Sequence, residues 1–292
     1  MSASPDLPLI DAHQHFWDPS RNYHPWLRDE PLIPFRYGDY RPIRRKYLPP
    51  DYRKDAAGYQ VLKTVYVETE WDPTDPLGEL RYVEELRAEY GLPTVAVAQA
   101  WLHQPETPQL LPVIAGFPFV RSVRHKPPPG AMLDSAWRAG FAALAPNGLR
   151  FDLQTPWTTF GDAVKLATKY DGTQIILNHT GLPADRSAAG IEGWRRAMKN
   201  LAGCPNVAVK ISGIGVPGEP WTVEANREIV LRTIDAFGAE RCMFASNFPV
   251  DSLCASFGTI FGGFRTIVAD FTPAEQGALF ARNAERIYSM ED

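Results

Sequence analysis

The stretch LIDAHQHFW, residues 9–17, is an apolar segment that ends in two histidines. Side chains two positions apart in a β-strand point to the same side, so the imidazoles of His13 and His15 project together. Two imidazoles on one wall can bind a divalent metal or polarise a carbonyl group. The stretch therefore predicts a first strand whose end carries chemistry.

Seven further stretches repeat this pattern of an apolar run that ends in polar residues. Near-continuous apolar runs are typical of parallel strands that are covered on both faces. With the first stretch they predict eight parallel strands, at Leu9–Trp17, Lys63–Glu70, Thr94–Trp101, Val120–His125, Leu149–Gln154, Gln174–His179, Val207–Ser212 and Arg241–Phe248.

Helical patterns lie between the predicted strands, and three of them carry start signals. Asp75 followed by Pro76 predicts a helix with an aspartate cap. Asp134 can cap a helix over Ala136–Leu144, and the sequence TPAE at residues 272–275 is a capping box. Helices therefore alternate with strands along the chain.

The alternation of strand and helix repeats eight times between Leu9 and Tyr288. It predicts an α/β fold, a (β/α)8 TIM barrel, in one domain over residues 1–292. The alternative is an open doubly wound sheet. No GxGxxG sequence follows the first strand, so nucleotide binding is disfavoured.

One stretch, from Asp18 to Asp55, departs from the repeat because it is long, aromatic and rich in proline. It follows the first strand, so in a barrel it lies at the carboxyl-terminal face. This loop could cap a substrate pocket, with Tyr23 and Trp26 shaping the walls, or it could be a packed excursion that shields the barrel rim. The two roles are compatible.

The sixth predicted strand ends in LNHTGLP, residues 177–183, which places His179 at the height of His13 and His15. Barrel enzymes place their catalytic groups at these strand ends. We expect the three imidazoles to meet in one hollow. The alternative is that they are structural histidines with separate roles.

A cationic cluster, Arg124-His125-Lys126, ends the fourth predicted strand. At a barrel mouth it suits a carboxylate, sulfonate or other anionic group, which an arginine can bind through two hydrogen bonds. The alternative is a structural ion pair between Arg124 and a strand-end acid such as Asp152.

Charged residues also stand inside two other apolar strands. Lys210 lies within VAVKIS, residues 207–212, and must find a partner or face a cavity. Glu68 and Glu70 share one side of the second strand. Either carboxylate could pair with Lys210 or with Arg124.

The composition excludes several classes of function. The net charge is −4 without a basic stripe, so nucleic acid is not expected as a partner. No run of about 18 apolar residues occurs, so no membrane span is expected. Three cysteines without a CxxC, and a short polar stretch before Leu9 that lacks the features of a signal peptide, fit the reducing cytoplasm. A homo-oligomer is left open.

The histidines of the first strand, the sequence HTGLP at residues 179–183 and the sequence MFASNFPV at residues 243–250 together resemble the amidohydrolase superfamily. It resembles most closely the metal-dependent hydrolase-like branch, which contains the 2-pyrone-4,6-dicarboxylate, sulfomuconolactone and sugar-acid lactonases, and this implies a barrel of that kind. The resemblance runs from Leu9 to Tyr288. These motifs are specific for the branch and not for a substrate.

This resemblance implies roles for individual residues. His13, His15 and His179 would surround the substrate carbonyl or hold a single divalent metal such as zinc, and metal-independent catalysis is equally compatible. An arginine at the position of Arg124 would bind an anionic group. An aspartate on strand eight would activate the attacking water.

The chain departs from the family pattern at Asn247, which stands where the family has that aspartate. An amide cannot take a proton, although it can orient a water. The base is then a metal-bound hydroxide, a histidine, or an acid such as Asp251, Glu68 or Glu70. The fifth strand also lacks the histidine of two-metal members, which favours one metal or none.

The sequence therefore predicts a hydrolase that opens a small anionic lactone by attack of water on a polarised carbonyl. The alternatives are a mononuclear-metal amide hydrolase or non-oxidative decarboxylase, and a binding protein whose catalysis is impaired at Asn247. The expected catalytic residues are His13, His15, His179 and Asn247, and the expected substrate-binding residues are Arg124, Lys126, Trp17 and Glu68.

Overall fold

The computed structural model describes residues 7–290. Residues 1–6 and 291–292 of the predicted domain lie outside this range. Eight strands form one sheet in sequence order, and each neighbouring pair is parallel. They are β1 (Leu9–Gln14), β2 (Val61–Val67), β3 (Val95–Gln99), β4 (Val120–Arg124), β5 (Arg150–Leu153), β6 (Ile175–Leu177), β7 (Val207–Ile211) and β8 (Cys242–Phe244).

The barrel closes between the last strand and the first, beyond their regular pairing. Gln14 and Phe248 form a parallel bridge, and the His15 amide donates to the Phe248 carbonyl at 2.8 Å. The Asn247 amide donates to the carbonyl of His13, also at 2.8 Å. This seam confirms the predicted (β/α)8 TIM barrel and places Asn247 directly beside the two histidines.

A buried carboxylate in β1, two residues before His13, reinforces the seam. Asp11 accepts hydrogen bonds from the Ser246 amide (2.8 Å) and hydroxyl (2.6 Å), and from the Tyr52 hydroxyl (2.9 Å). Burial raises the pKa of Asp11 to about 6, while these hydrogen bonds favour the ionised form. Asp11 thus ties β1, the β8 end and the first loop together.

The first two helices are short and lie within the first loop, and the others cover the outer face of the sheet. In chain order the helices are α1 (Pro25–Arg28), α2 (Pro49–Asp55), α3 (Gly78–Tyr90), α4 (Thr107–Ala115), α5 (Ser135–Ala142), α6 (Phe160–Lys169), α7 (Ala188–Ala202), α8 (Val223–Phe237), α9 (Phe257–Ile267), α10 (Pro273–Gly277) and α11 (Asn283–Ile287). No helix within the described residues is long and apolar enough to cross a membrane.

Two of the three predicted helix starts are confirmed. The Asp134 carboxylate accepts from the Trp137 amide at 2.9 Å and begins α5, and Thr272 and Glu275 form the expected capping box of α10. The third prediction was wrong by one turn, because the helix begins at Gly78 and not after Asp75.

The contacts of Asp75 explain the late start of α3. A side chain at Gly78 would place its Cβ 2.2 Å from Asp75 Oδ2 and 2.5 Å from Trp71 Nε1. The Asp75 carboxylate instead pairs with Arg81, at 2.6 Å. An aspartate that is engaged by a side chain of the first turn is not available as the cap of that helix.

The barrel interior is apolar at the amino-terminal end and contains a fully buried ion pair further along. Lys210 Nζ lies 2.6 Å from Asp152 Oδ1, and both side chains are fully buried. Tyr288, which follows α11, donates its hydroxyl to the same carboxylate at 2.8 Å. Lys210 therefore has the partner that its position demands, and that partner is neither Glu68 nor Glu70. Removing one member of such a pair costs about 3–5 kcal/mol of stability.

The loop from Asp18 to Asp55 is ordered by its aromatic residues. The indole Nε1 of Trp17 donates to the carbonyls of Ile43 (3.1 Å) and Arg45 (2.9 Å), so the buried ring fixes the loop against β1. The loop packs over the carboxyl ends of the strands and lines a cavity there. It both shields the rim and forms part of a pocket.

Candidate active site

The three predicted histidines lie side by side. His13 is in β1, His15 follows its end, and His179 begins a 3-10 turn after β6 in a left-handed conformation (φ 57°). The ring centroid of His13 lies 5.0 Å from that of His15 and 4.6 Å from that of His179. All three rings are buried, and the Nε2 atoms of His13 and His15 are 3.2 Å apart.

Hydrogen bonds orient these rings. His15 Nδ1 lies 2.7 Å from the carbonyl oxygen of Val67. Because a carbonyl only accepts, Nδ1 carries the hydrogen and Nε2 carries the lone pair. His179 Nδ1 lies 2.9 Å from the Ser212 hydroxyl, which leaves its Nε2 for the pocket. His13 Nδ1 has no partner among residues 7–290.

The imidazoles are held neutral. Burial lowers the pKa of each ring well below the ordinary value of a histidine, and nearby cations lower it further. The strongest cationic neighbours are Lys210 for His13, Arg124 for His15 and Arg36 for His179. Neutral imidazoles can each donate one hydrogen bond and accept one.

Asn247 is fixed by a carboxylate. Its Nδ2 donates to Asp251 Oδ1 at 2.6 Å, so its Oδ1 faces the other way, 3.4 Å from His15 Nε2. Asp251 also accepts from the Tyr37 hydroxyl and the Gly213 amide, each at 3.1 Å. The amide oxygen of Asn247 and the lone pair on His15 Nε2 are therefore two neighbouring acceptors, which a shared donor such as a water could bridge.

The cationic cluster of β4 is already paired within the protein. Arg124 donates through Nε to the Glu68 carboxylate, through Nη2 to the Glu68 carbonyl (2.6 Å) and through Nη1 to Gln154 (2.9 Å). Lys126 pairs with Glu70 at the rim. Glu68 is thus the partner of Arg124, while Asp152 faces Lys210.

A third cation, Arg36, reaches this region from the first loop. Its Nη2 lies 3.5 Å from Asp251 Oδ1, and its guanidinium stacks on the Tyr37 ring at 4.6 Å. Arg36 was not among the predicted site residues, because the residues of an irregular loop follow no hydrophobic period. The signal was a single cation within the apolar sequence IPFRY, residues 33–37, of a loop expected above the barrel.

These groups surround an inner cavity of about 270 Å³ that opens beside an outer one of about 430 Å³. His15, His179 and Asn247 line the inner cavity, while His13 packs beside them and outside its lining. Tyr23 lies outside both cavities, contrary to expectation, because its hydroxyl donates to Asp29 (2.6 Å). Other residues of the inner lining are Trp17, Trp26, Phe35, Arg36, Glu68, Glu70, Arg124, Lys126 and Gln154.

The donor set fits a metal ion only in part. Two nitrogen ligands of a tetrahedral zinc, each about 2.1 Å from the metal, stand about 3.4 Å apart. The spacing of 3.2 Å between the Nε2 atoms of His13 and His15 is close to this value. Among residues 7–290, however, no group of three or more histidine, cysteine, aspartate or glutamate side chains could hold a metal ion. His179 does not complete a set with the other two.

Comparison with known proteins agrees with this architecture. Residues 10–290 match the family model described as amidohydrolase. An uncharacterized protein, y4mH, of Sinorhizobium fredii is 38% identical over 98% of this chain and 99% of its own length. An L-fucono-1,5-lactonase of Burkholderia multivorans is 28% identical over 97% of this chain and 96% of its own.

The fold also matches a crystal structure of an amidohydrolase from Burkholderia multivorans with bound zinc. It has a TM-score of 0.82 and 23% identity, and the match covers 97% of this chain and 99% of that one. Since the family model spans nearly the whole sequence and the barrel carries its histidines at the expected strand ends, the chain belongs to the amidohydrolase family.

Proposed function

We propose that this protein is a lactonase that hydrolyses the ring ester of a small lactone. The observation that carries the proposal is the arrangement of His15, His179 and the Asn247 oxygen around one cavity at the carboxyl end of the barrel. The L-fucono-1,5-lactonases among its relatives support an ester over an amide as the scissile bond.

His179 polarises the carbonyl in this mechanism. In the tautomer that the mechanism uses, the Ser212 hydroxyl donates to Nδ1, 2.9 Å away, and the neutral ring carries its hydrogen on Nε2, toward the cavity. A donor that is fixed in a site of low dielectric stabilises the oxyanion more than water does, because it needs no reorganisation. In its neutral state the ring donates one hydrogen bond through Nε2 and accepts one through Nδ1.

His15 acts as the general base, with His13 as its neighbour. The carboxylates of Asp251, Glu68 and Glu70 are each held by protein donors, which leaves the imidazoles. A water on the cavity side, within hydrogen-bond distance of both Asn247 Oδ1 and His15 Nε2, would donate to both, and its proton would pass to His15. His13 Nε2, 3.2 Å away, shares that proton.

The atoms balance in two steps. The water oxygen bonds to the carbonyl carbon, the π electrons move onto the carbonyl oxygen, and the imidazole pair takes the proton. The oxyanion then re-forms the double bond, the ring C–O bond breaks, and the ring oxygen leaves as a hydroxyl with the proton from the imidazole pair. The product is a hydroxy acid, which ionises to a carboxylate.

Charge pairing indicates the kind of lactone. Every cation that lines the inner cavity faces a carboxylate, in the pairs Arg36–Asp251, Arg124–Glu68 and Lys126–Glu70. With neutral histidines the cavity has no excess of positive charge. Paired charges offer a substrate hydroxyl a donor and an acceptor together. We therefore propose a neutral, hydroxylated lactone, in place of the anionic one that unpaired cations would favour.

A lactone panel tests the proposal. Neutral aldonolactones and carboxylated muconolactones are assayed with a pH indicator, and the neutral set is expected to give a kcat/KM at least about tenfold higher. The exposed His103 lies outside both cavities and supplies a matched control, since His103→Ala should keep wild-type rates. Absence of turnover with every lactone would overturn the proposal.

Removal of metal is expected to leave the activity intact. Since the proposed mechanism takes no step through a metal ion, dialysis against a chelator should change kcat by less than about twofold. Metal content is measured by mass spectrometry beside the rate. A loss of activity that zinc restores would contradict this mechanism, and would favour a metal-assisted lactonase or one of the mononuclear-metal alternatives.

A further inference from the structure

We propose that Arg36, carried by the loop after β1, is a catalytic residue that binds the negative charge formed in the reaction. Its Nη1 donates to the carbonyl oxygen as that oxygen becomes an oxyanion, and afterwards to the product carboxylate. The proposal rests on the lactonase function above and adds the second donor that an oxyanion site requires.

The first observation is an unused donor. Arg36 lines the inner cavity, and its Nη1 is buried without a hydrogen-bond partner among residues 7–290. Burying an N–H group without a protein partner is costly, so such groups are rare outside sites that receive a ligand. A cationic donor forms the stronger, charge-assisted bond to an anionic oxygen.

The second observation is the space that Gly213 provides. A Cβ at this position would lie 2.6 Å from His179 Nδ1 and 2.7 Å from Arg36 Nη2, and the backbone is left-handed (φ 59°). The missing side chain lets the guanidinium approach the imidazole. Arg36 and His179 are therefore neighbours in the lining of the inner cavity, and the proposal places the carbonyl oxygen between their free N–H groups.

The third observation separates Arg36 from the other cations. Each nitrogen of Arg124 donates to a protein oxygen, and Lys126 pairs with Glu70 at the rim. The only carboxylate paired with Arg36 within the described residues is Asp251, at 3.5 Å, and the same Oδ1 accepts from Asn247. Its charge is thus the least neutralised of the three.

The loop holds the arginine from both sides. The ring of Phe35 stacks on that of Trp26, with centroids 5.7 Å apart and planes 5° from parallel. On the other side, the Tyr37 hydroxyl donates to Asp251 at 3.1 Å. These anchors place the guanidinium before substrate arrives, which is the condition for electrostatic catalysis.

The charge balance of the reaction explains why such a donor is needed. A neutral lactone brings no charge into a cavity whose ion pairs are balanced, but the oxyanion and then the carboxylate each bring one negative charge. An arginine with a spare N–H stabilises both species while it leaves binding of the neutral substrate nearly unchanged.

The test compares Arg36→Met and Arg36→Lys with wild type on a neutral aldonolactone. We expect Arg36→Met to lower kcat about 10²-fold with KM within about threefold, and Arg36→Lys to lie between. Inhibition by the product hydroxy carboxylate should weaken by about tenfold or more. Arg41→Met is the matched control, since Arg41 is exposed in the same loop and lines neither cavity.

Added guanidinium ion separates a catalytic from a structural role. Low millimolar guanidinium should restore part of kcat to Arg36→Ala, since it can occupy the vacated space, and should not change Arg41→Met. Wild-type kcat and product inhibition in Arg36→Met would overturn the inference while lactone hydrolysis stood. Should Arg36→Met fail to fold, equal kcat in Arg36→Lys and wild type, with no change in product inhibition, would overturn it too.

Discussion

Replacing His15 with asparagine is expected to lower kcat for lactone hydrolysis by about 10²–10⁴-fold, the range for loss of a general base. The asparagine amide can still donate to the Val67 carbonyl, as Nδ1 does at 2.7 Å, so the fold is retained. What disappears is the lone pair on Nε2 that faces Asn247. Steady-state kinetics beside circular dichroism measure the two effects separately, and His103→Asn serves as the control.

The pH dependence of kcat/KM gives a second test of His15 as the general base. Because burial lowers the pKa of His15 well below the ordinary value, the neutral, proton-accepting form persists as the pH falls through 6.5. Wild-type kcat/KM should therefore stay level across pH 6.5 and decline only at lower pH. An acid limb with an apparent pKa of 6.5 or above, or a His15→Asn variant with kcat within about threefold of wild type, would remove His15 from this role.

Asn247→Asp is expected to lose both activity and stability at pH 8. The new carboxylate would lie at the position that now donates to Asp251 Oδ1 from 2.6 Å, so two buried carboxylates would face each other. An uncompensated buried charge costs about 3–5 kcal/mol. One carboxyl then keeps its proton in the folded state, with a pKa raised above its unfolded value.

The sign of the pH effect follows from that proton. A carboxyl with a raised folded-state pKa destabilises the protein as the pH rises above the unfolded pKa, so the deficit of Asn247→Asp should be larger at pH 8 than at pH 5. Urea unfolding at both values measures it. The double variant Asn247→Asp/Asp251→Asn restores one amide and one carboxylate, and should recover most of the stability.

The outcome also decides whether this chain is an impaired member of its family. If Asn247→Asp alone were as stable as wild type and more active, the asparagine would be a defect, and the binding-protein alternative would gain support. The contacts of Asn247 favour a working site, since Asp251 accepts from its Nδ2 and thereby places its Oδ1 3.4 Å from His15 Nε2.

The barrel and its histidine cluster could be predicted because both depend on strong, local patterns. Buried parallel strands are continuous apolar runs, and a barrel brings their carboxyl ends to one face. His13 and His15 followed from the period of two along one strand. The predicted strands are too long at this face because the chain turns there. His179 and Asn247 both take left-handed backbone conformations, which the apolar pattern of the strands does not predict.

The ion pairs could not be predicted, because they depend on side chains that reach across the barrel mouth. Arg124 pairs with Glu68, from the strand two positions away in the sheet, and not with its register neighbour Asp152. Asp152 is turned inward to Lys210. Arg36 lies in a loop, whose course follows from aromatic packing and not from a period. These pairings changed the expected substrate from an anionic to a neutral lactone.

The most direct test of the central claim is a crystal structure with a lactam analogue of a turned-over aldonolactone, whose amide resists hydrolysis. We expect the lactam carbonyl oxygen within hydrogen-bond distance of His179 Nε2 and Arg36 Nη1, with its carbonyl carbon open to the cavity beside His15 and Asn247. A lactam bound only in the outer cavity, or with its carbonyl turned away from His179, would contradict it.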